Sequence, residues 1–301
     1  MRVAAVDLGT NTTRLLVADV VDGRVEELHR ETRITRLGEG VDARHRLLPV
    51  PIARTRNALT DYRRTAERLR AERVLAVATS AVRDAENGEA FLGEIEWSYG
   101  FVTRLLSGGE EAEMTRRGVG ELGATTLLVD IGGGSTELVL DDFHVSLPMG
   151  AVRFTERWGE HRAAVEEATT ELLTEHANVH PRAAIGVAGT VTTLAALDLG
   201  LEHYDRDRVH GYVLTRRAAQ TQLHRLAALP LEQRKHVPAL EPDRAPVIVA
   251  GASILVATLA FFGLNVITVS ERDILDGIAL AAAELPAPEE GDAPPGAFTC
   301  C

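Results

Sequence analysis

Cysteine is almost absent from this chain. Its only two, Cys300 and Cys301, are the last residues. That excludes a disulfide framework and a cysteine-based zinc site. Aromatic residues make up 4% of the 301 positions, so the core must be built mainly of Ala, Val, Leu and Ile. Lysine is scarcer still: Lys235 stands alone among 32 basic residues, the rest being Arg. Arg suits bidentate phosphate contacts, although a GC-rich genome is the simpler source of such a bias. The ten histidines show no ligand spacing such as His-x-x-x-His and receive no role.

A long membrane-like run is also lacking, with one segment to weigh. Val247–Leu264 holds 18 residues without a charge, the nominal length of a span. Pro246 and Gly251 interrupt it, and Val247-Ile248-Val249 is β-branched. It therefore reads as a short buried strand and then a buried helix over Ser253–Phe262, with Val266–Val269 as a further strand. No basic cluster flanks it. The N-terminal apolar run is broken by Asp7 and fits no signal peptide. A cytoplasmic protein without a membrane partner is expected.

Hydrophobic residues make up 45% and charged residues 25%, an ordinary globular composition. The length suggests two domains. The net charge of −12 is uneven: residues 1–117 hold 19 bases and 19 acids, so the whole excess lies beyond them. An acidic surface argues against nucleic acid polymers. An anionic ligand would need local attraction.

Two segments repeat at an offset of 123 residues. Val6-Asp7-Leu8-Gly9-Thr10-Asn11-Thr12-Thr13-Arg14-Leu15 and Val129-Asp130-Ile131-Gly132-Gly133-Gly134-Ser135-Thr136-Glu137-Leu138 share one pattern. Each reads as strand, tight turn, strand, with an Asp ending the first strand. Small residues let a ligand approach the backbone, and hydroxyls and N–H groups hold phosphate oxygens. Helices and strands alternate after each hairpin, which predicts an α/β protein with two mixed sheets. The expected helices include Ile52–Glu72, Val82–Trp97, Glu110–Glu121, Arg162–Val179, Thr190–Leu199, Arg216–Ala228 and Ile274–Glu284. Segment 286–301, rich in Pro, reads as a disordered tail.

Several side chains could carry chemistry. Ser107 and Glu110 form a capping-box pattern, which leaves the adjacent Glu111 as a candidate general base. Asp130 and Glu137 flank the second turn, and two carboxylates beside a phosphate loop suit Mg²⁺. The first hairpin has Arg14 in the place of Glu137, which suggests a phosphate-binding cation there. Arg83 follows a strand end, where an Arg can clamp phosphate. The Gly186–Thr193 turn is a weaker anion candidate.

With Ala78-Thr79-Ser80-Ala81-Val82-Arg83, Ser107-Gly108-Gly109-Glu110-Glu111-Ala112 and Met149-Gly150-Ala151-Val152-Arg153 added to the two hairpins, the chain resembles the exopolyphosphatase / guanosine pentaphosphate phosphatase (Ppx/GppA) family over residues 3–284. The resemblance implies two ribonuclease-H-like domains of the actin-like ATPase superfamily around a central cleft. The expected domains are 1–120 and 121–285. The chain looks like the short two-domain form, without the extra C-terminal helical domain. The resemblance implies Glu111 as catalytic base. It implies Asp130 and Glu137, with Asp7 as a further candidate, as acids for Mg²⁺ or Mn²⁺. Thr10, Asn11, Thr12, Arg14, Arg83, Gly132, Gly133, Gly134, Ser135 and Thr136 are the expected phosphate-binding positions. One departure is Pro246, where many members have an acid.

The expected activity is release of terminal orthophosphate from polyphosphate by Mg-assisted attack of water. Hydrolysis of guanosine pentaphosphate is the alternative within the family. A superfamily kinase, or a non-catalytic polyphosphate or alarmone sensor, is the alternative from another class. The sequence does not determine the oligomeric state, a homodimer being one option.

Overall fold

The computed structural model describes residues 1–286. The expected tail and the Cys300-Cys301 pair lie outside them, apart from Pro286. The chain forms two compact units. The first comprises Met1–Val119 and the segment from Ile274 onward, and the second Gly120–Asp273.

The first unit runs β1 (Arg2–Leu8), β2 (Thr12–Val21), β3 (Arg24–Ile34), α1 (Val41–Arg44), α2 (Pro49–Arg68), β4 (Arg73–Ala78), α3 (Ser80–Arg83), α4 (Gly88–Tyr99), β5 (Val102–Leu105) and α5 (Gly108–Val119). The second runs β6 (Thr126–Ile131), β7 (Thr136–Leu140), β8 (Phe143–Leu147), α6 (Ala151–Trp158), α7 (Arg162–Thr174), β9 (Ala183–Val187), α8 (Ala188–Asp198), α9 (Arg206–Val209), β10 (Val213–Thr215), α10 (Arg216–Ala227), α11 (Leu231–Arg234), α12 (Ile248–Phe261) and β11 (Val266–Val269). Helix α13 (Ile274–Ala283) then returns to the first unit.

The sheets share a plan. The first has the order β3-β2-β1-β4-β5 and the second β10-β11-β9-β6-β7-β8. In each, an antiparallel three-strand meander lies beside parallel strands. This is the expected α/β pattern of two mixed sheets, and the offset of 123 residues between the two hairpins is its imprint.

The place of α13 corrects the expected boundary at 285. Every residue of Val3–Leu8 is buried, so both faces of the first sheet need cover. Ala4, Val6, Leu8 and Leu15 pack with Leu59, Tyr62, Phe91 and Ile95 on one face. Val3, Ala5, Leu16 and Val77, pointing the other way, pack with Ile274, Leu275, Ile278 and Ala282. The chain supplies that second layer from its far end. Helix α13 lies so close to α5 that a Cβ on Gly277 would meet the Met114 carbonyl oxygen at 2.0 Å. Arg30 Nη2 donates to Asp276 Oδ2 at 3.0 Å.

Three local expectations also change. The helix expected over Val82–Trp97 is two helices, α3 and α4. Helix α6 stands where none was expected. Val247-Ile248-Val249 is not a strand: Ile248 and Val249 open the 14-residue α12, almost wholly buried. A helix apolar on all sides carries no amphipathic period, and burial overrides the β propensity of Ile and Val. No helix among the described residues is long and apolar enough to cross a membrane.

Candidate active site

In the first unit, the β1–β2 turn is closed by Gly9 N–H donating to the Thr12 carbonyl at 3.0 Å. The turn's other carbonyls are held from the β3–α1 connection. Thr35 and Arg36 N–H donate to Asn11 O at 3.1 and 2.9 Å, and Gly38 N–H donates to Thr10 O at 2.8 Å. In a trans peptide the N–H points opposite to the carbonyl. Tying these oxygens down therefore turns the Asn11 and Thr12 N–H groups the other way. Thr10 is 6% exposed, and its Oγ1 has no hydrogen-bond partner among the described residues. A buried hydroxyl left so is costly, and an anion's oxygens would satisfy it.

Arg14 and Asp7 face each other across the β1–β2 register. Arg14 Nε donates to Asp7 Oδ2 at 2.9 Å, and Nη2 lies 2.7 Å from the same oxygen. The structure thus joins an expected phosphate ligand to a candidate metal acid. A divalent cation at Asp7 would meet that guanidinium.

The capping box forms as its spacing predicts. Ser107 N–H and Oγ–H donate to Glu110 Oε2 at 2.8 and 2.6 Å, and Glu110 N–H donates to Ser107 Oγ at 3.3 Å. The Ser107 hydroxyl and N–H hold the Glu110 carboxyl below its ordinary range. With Glu110 committed to the cap, Glu111 turns inward and is 8% exposed. Arg83 Nη1, at the end of α3, donates to Glu111 Oε2 at 3.1 Å and to Leu106 O at 2.8 Å.

In the second unit, Gly132 N–H donates to Ser135 O at 3.0 Å and closes the β6–β7 turn. Its carbonyls are braced by the start of α6. Ala151 N–H donates to Gly132 O at 3.0 Å, and Val152 and Arg153 N–H to Gly133 O at 2.8 and 3.1 Å. Arg153 Nε donates to Gly134 O at 2.6 Å. Gly150 permits this approach: a Cβ there would lie 2.3 Å from Gly133 O. Both units thus hold the turn by its oxygens, which orients its N–H groups as a nest for an anion. Local sequence by itself reveals neither brace; the Met149–Arg153 motif is the one sequence signal that coincides with the second.

Thr136 differs from its expected role. It is fully buried, and its Oγ1 donates to Met149 O at 2.5 Å. Its hydroxyl is committed to the brace, whereas Gly132, Gly133, Gly134 and Ser135 form the turn itself. The weaker Gly186–Thr193 turn opens α8, where the Arg244 guanidinium fills the space a side chain at Gly189 would need.

Asp130 and Glu137 are directly opposite in the β6–β7 register. They are 8% and 1% exposed. Ser146 Oγ donates to Glu137 Oε1 at 2.6 Å. Like charges directly opposite on a sheet repel, and a hard divalent cation removes that cost. Among the described residues no group of three or more His, Cys, Asp or Glu is placed to hold a metal. A two-carboxylate set fits Mg²⁺, which keeps several waters and takes few protein ligands.

The chain as a whole is similar to known proteins. The Ppx/GppA phosphatase family profile matches residues 16–284. Exopolyphosphatase 2 of Mycobacterium tuberculosis is 41% identical, over 94% of this chain and 98% of that protein. The solved structure of an exopolyphosphatase-like protein superposes with a TM-score of 0.87 at 30% identity, covering 95% of this chain and 100% of that one. A family member from Aquifex aeolicus gives 0.77 at 31% identity, covering 94% and 98%. With two braced turns, a buried acid at an Arg, and this similarity along nearly its whole length, the chain belongs to the Ppx/GppA phosphatase family.

Proposed function

We propose that the chain is an exopolyphosphatase that releases the terminal phosphoryl group of inorganic polyphosphate as orthophosphate. The observation that carries this reading is the Arg83–Glu111 pair: a buried carboxylate beside a cation suited to phosphate. In the first unit, the Asn11 and Thr12 N–H groups, the Thr10 hydroxyl and Arg83 bind phosphate oxygens. Glu111 accepts the proton of a water that attacks phosphorus in line, and the phosphoanhydride bond to the leaving oxygen breaks. In the second unit, the Gly133, Gly134 and Ser135 N–H groups bind phosphate oxygens.

Asp130 and Glu137 would hold Mg²⁺, or Mn²⁺ in its place, which would supply positive charge to offset that of the phosphate. Most of the rate then comes from positioning and electrostatics. Arg14 acts at one remove, by neutralising Asp7 beside the first turn. The substrate is an anion although the chain carries −12, so its attraction is local: turn N–H groups, Arg83 and the metal.

The test is orthophosphate release from polyphosphates of several lengths, guanosine pentaphosphate and ATP in parallel, with and without Mg²⁺. Release from polyphosphate that needs Mg²⁺ supports the reading. Turnover of guanosine pentaphosphate alone would move the chain to the other activity of the family. Binding of either without turnover would make it a sensor.

A further inference from the structure

We infer that Arg153 is a positioning residue for the anion nest of the second unit, acting through one peptide plane. The inference rests on the phosphate-binding reading of the Gly132–Ser135 turn, and it names the side chain that sets that turn's geometry.

Three successive carbonyls, of Gly132, Gly133 and Gly134, are held by the start of α6. Each fixes the N–H of the next residue, because carbonyl and N–H of one trans peptide point in opposite directions. The Gly133 and Gly134 N–H groups are fixed by backbone donors alone, from Ala151, Val152 and Arg153. The Ser135 N–H is different: the carbonyl opposite it, Gly134 O, is held by the Arg153 side chain, from Nε at 2.6 Å. It is the one plane of the three that a substitution can release without breaking α6. Glycine on its N-terminal side leaves that plane free to rotate once the donor is gone. A rotated plane would present a carbonyl oxygen, rather than an N–H, to a phosphate.

Two replacements isolate the donor. In Gln the amide nitrogen stands the same number of bonds from Cα as Arg Nε, so Arg153→Gln keeps an N–H there and removes the charge. In Met the terminal methyl stands at that place, so Arg153→Met keeps the length and removes both donor and charge. Arg157→Met removes a charge one turn along α6 and serves as the control.

The experiment measures binding of inorganic phosphate by calorimetry, together with KM and kcat for polyphosphate and the thermal midpoint of each variant. Arg153→Met is expected to weaken phosphate binding and to raise KM about tenfold, as for one well-placed hydrogen bond. Arg153→Gln is expected to stay within about threefold of the unaltered chain on the same scale. Arg157→Met should bind phosphate unchanged. Equal losses in Met and Gln variants would overturn the inference in favour of a simple charge effect. Losses that follow the thermal midpoint would overturn it in favour of a structural role. Phosphate binding is read without turnover, so a chain that binds phosphate but does not cleave polyphosphate would refute the proposed activity and leave the role of Arg153 standing.

Discussion

Arg83 reaches Glu111 across 28 positions of sequence, Nη1 to Oε2, at 3.1 Å. The same nitrogen donates to the Leu106 carbonyl, at the end of the strand that leads into α5. The cation is therefore anchored to the backbone as well as to the acid. An anchored Arg keeps further N–H groups in a fixed fork, and Glu111 is held away from its exposed neighbour Glu110.

Removing the base should separate chemistry from binding. Glu111→Gln is expected to lower kcat for phosphate release by about 10²–10⁴-fold, the usual contribution of a positioned base, with KM changed little. Steady-state kinetics on polyphosphate checks this, and a fully active Glu111→Gln enzyme would remove Glu111 from the mechanism.

Replacing the cation should act on affinity as well. Arg83→Lys keeps the charge but loses the planar fork that can serve Leu106, Glu111 and a phosphate together. KM for polyphosphate should rise about tenfold, the lower end of one charge-assisted hydrogen bond's worth. An unchanged KM would mean that Arg83 only props Glu111.

The cap predicts a pH signature. The Ser107 hydroxyl and N–H lower the Glu110 pKa in the folded chain. A depressed carboxylate stabilises the fold above its unfolded pKa, and that contribution is lost as pH falls through the folded value. Ser107→Ala should therefore cost about 1 kcal/mol at pH 7 and less as the solution is acidified. Urea unfolding at several pH values between neutrality and the acid side of the glutamate range measures this. A penalty that grew on acidification would contradict it.

The brace predicts a steric effect. Gly150→Ala places a Cβ against the Gly133 carbonyl, which is backbone and has no rotamer to yield. A loss of about 1–3 kcal/mol in stability is expected, as for other overpacked sites, along with weaker phosphate binding. Both are read from denaturant unfolding and calorimetry on the purified variant.

Chelation tests the paired acids. EDTA should abolish phosphate release and added Mg²⁺ restore it. Glu137→Gln removes one of the two carboxylates, so the Mg²⁺ concentration for half-maximal activity should rise, whereas Asp7→Asn should leave it unchanged. The opposite pattern would shift the metal to the first hairpin, against the Arg14–Asp7 pairing.

By itself the sequence determined what short stretches can settle. The two hairpins, their Asp-ended first strands, the α/β alternation and the Ser107–Glu110 cap all rest on local spacing, turn chemistry and capping, and all are present. The tertiary structure alone decided where distant segments meet. That α13 covers the first sheet depends on burying a face formed by strands far away in the sequence. That Ile248 and Val249 are helical depends on their surroundings rather than on their propensity. The pairing of the Thr136 hydroxyl with Met149 O and of Arg14 with Asp7 likewise follows from the fold and not from spacing. Spacing shows which polar groups can be near a ligand. Which partner each one takes is settled by packing, because a buried donor or acceptor goes to whatever the fold places within reach.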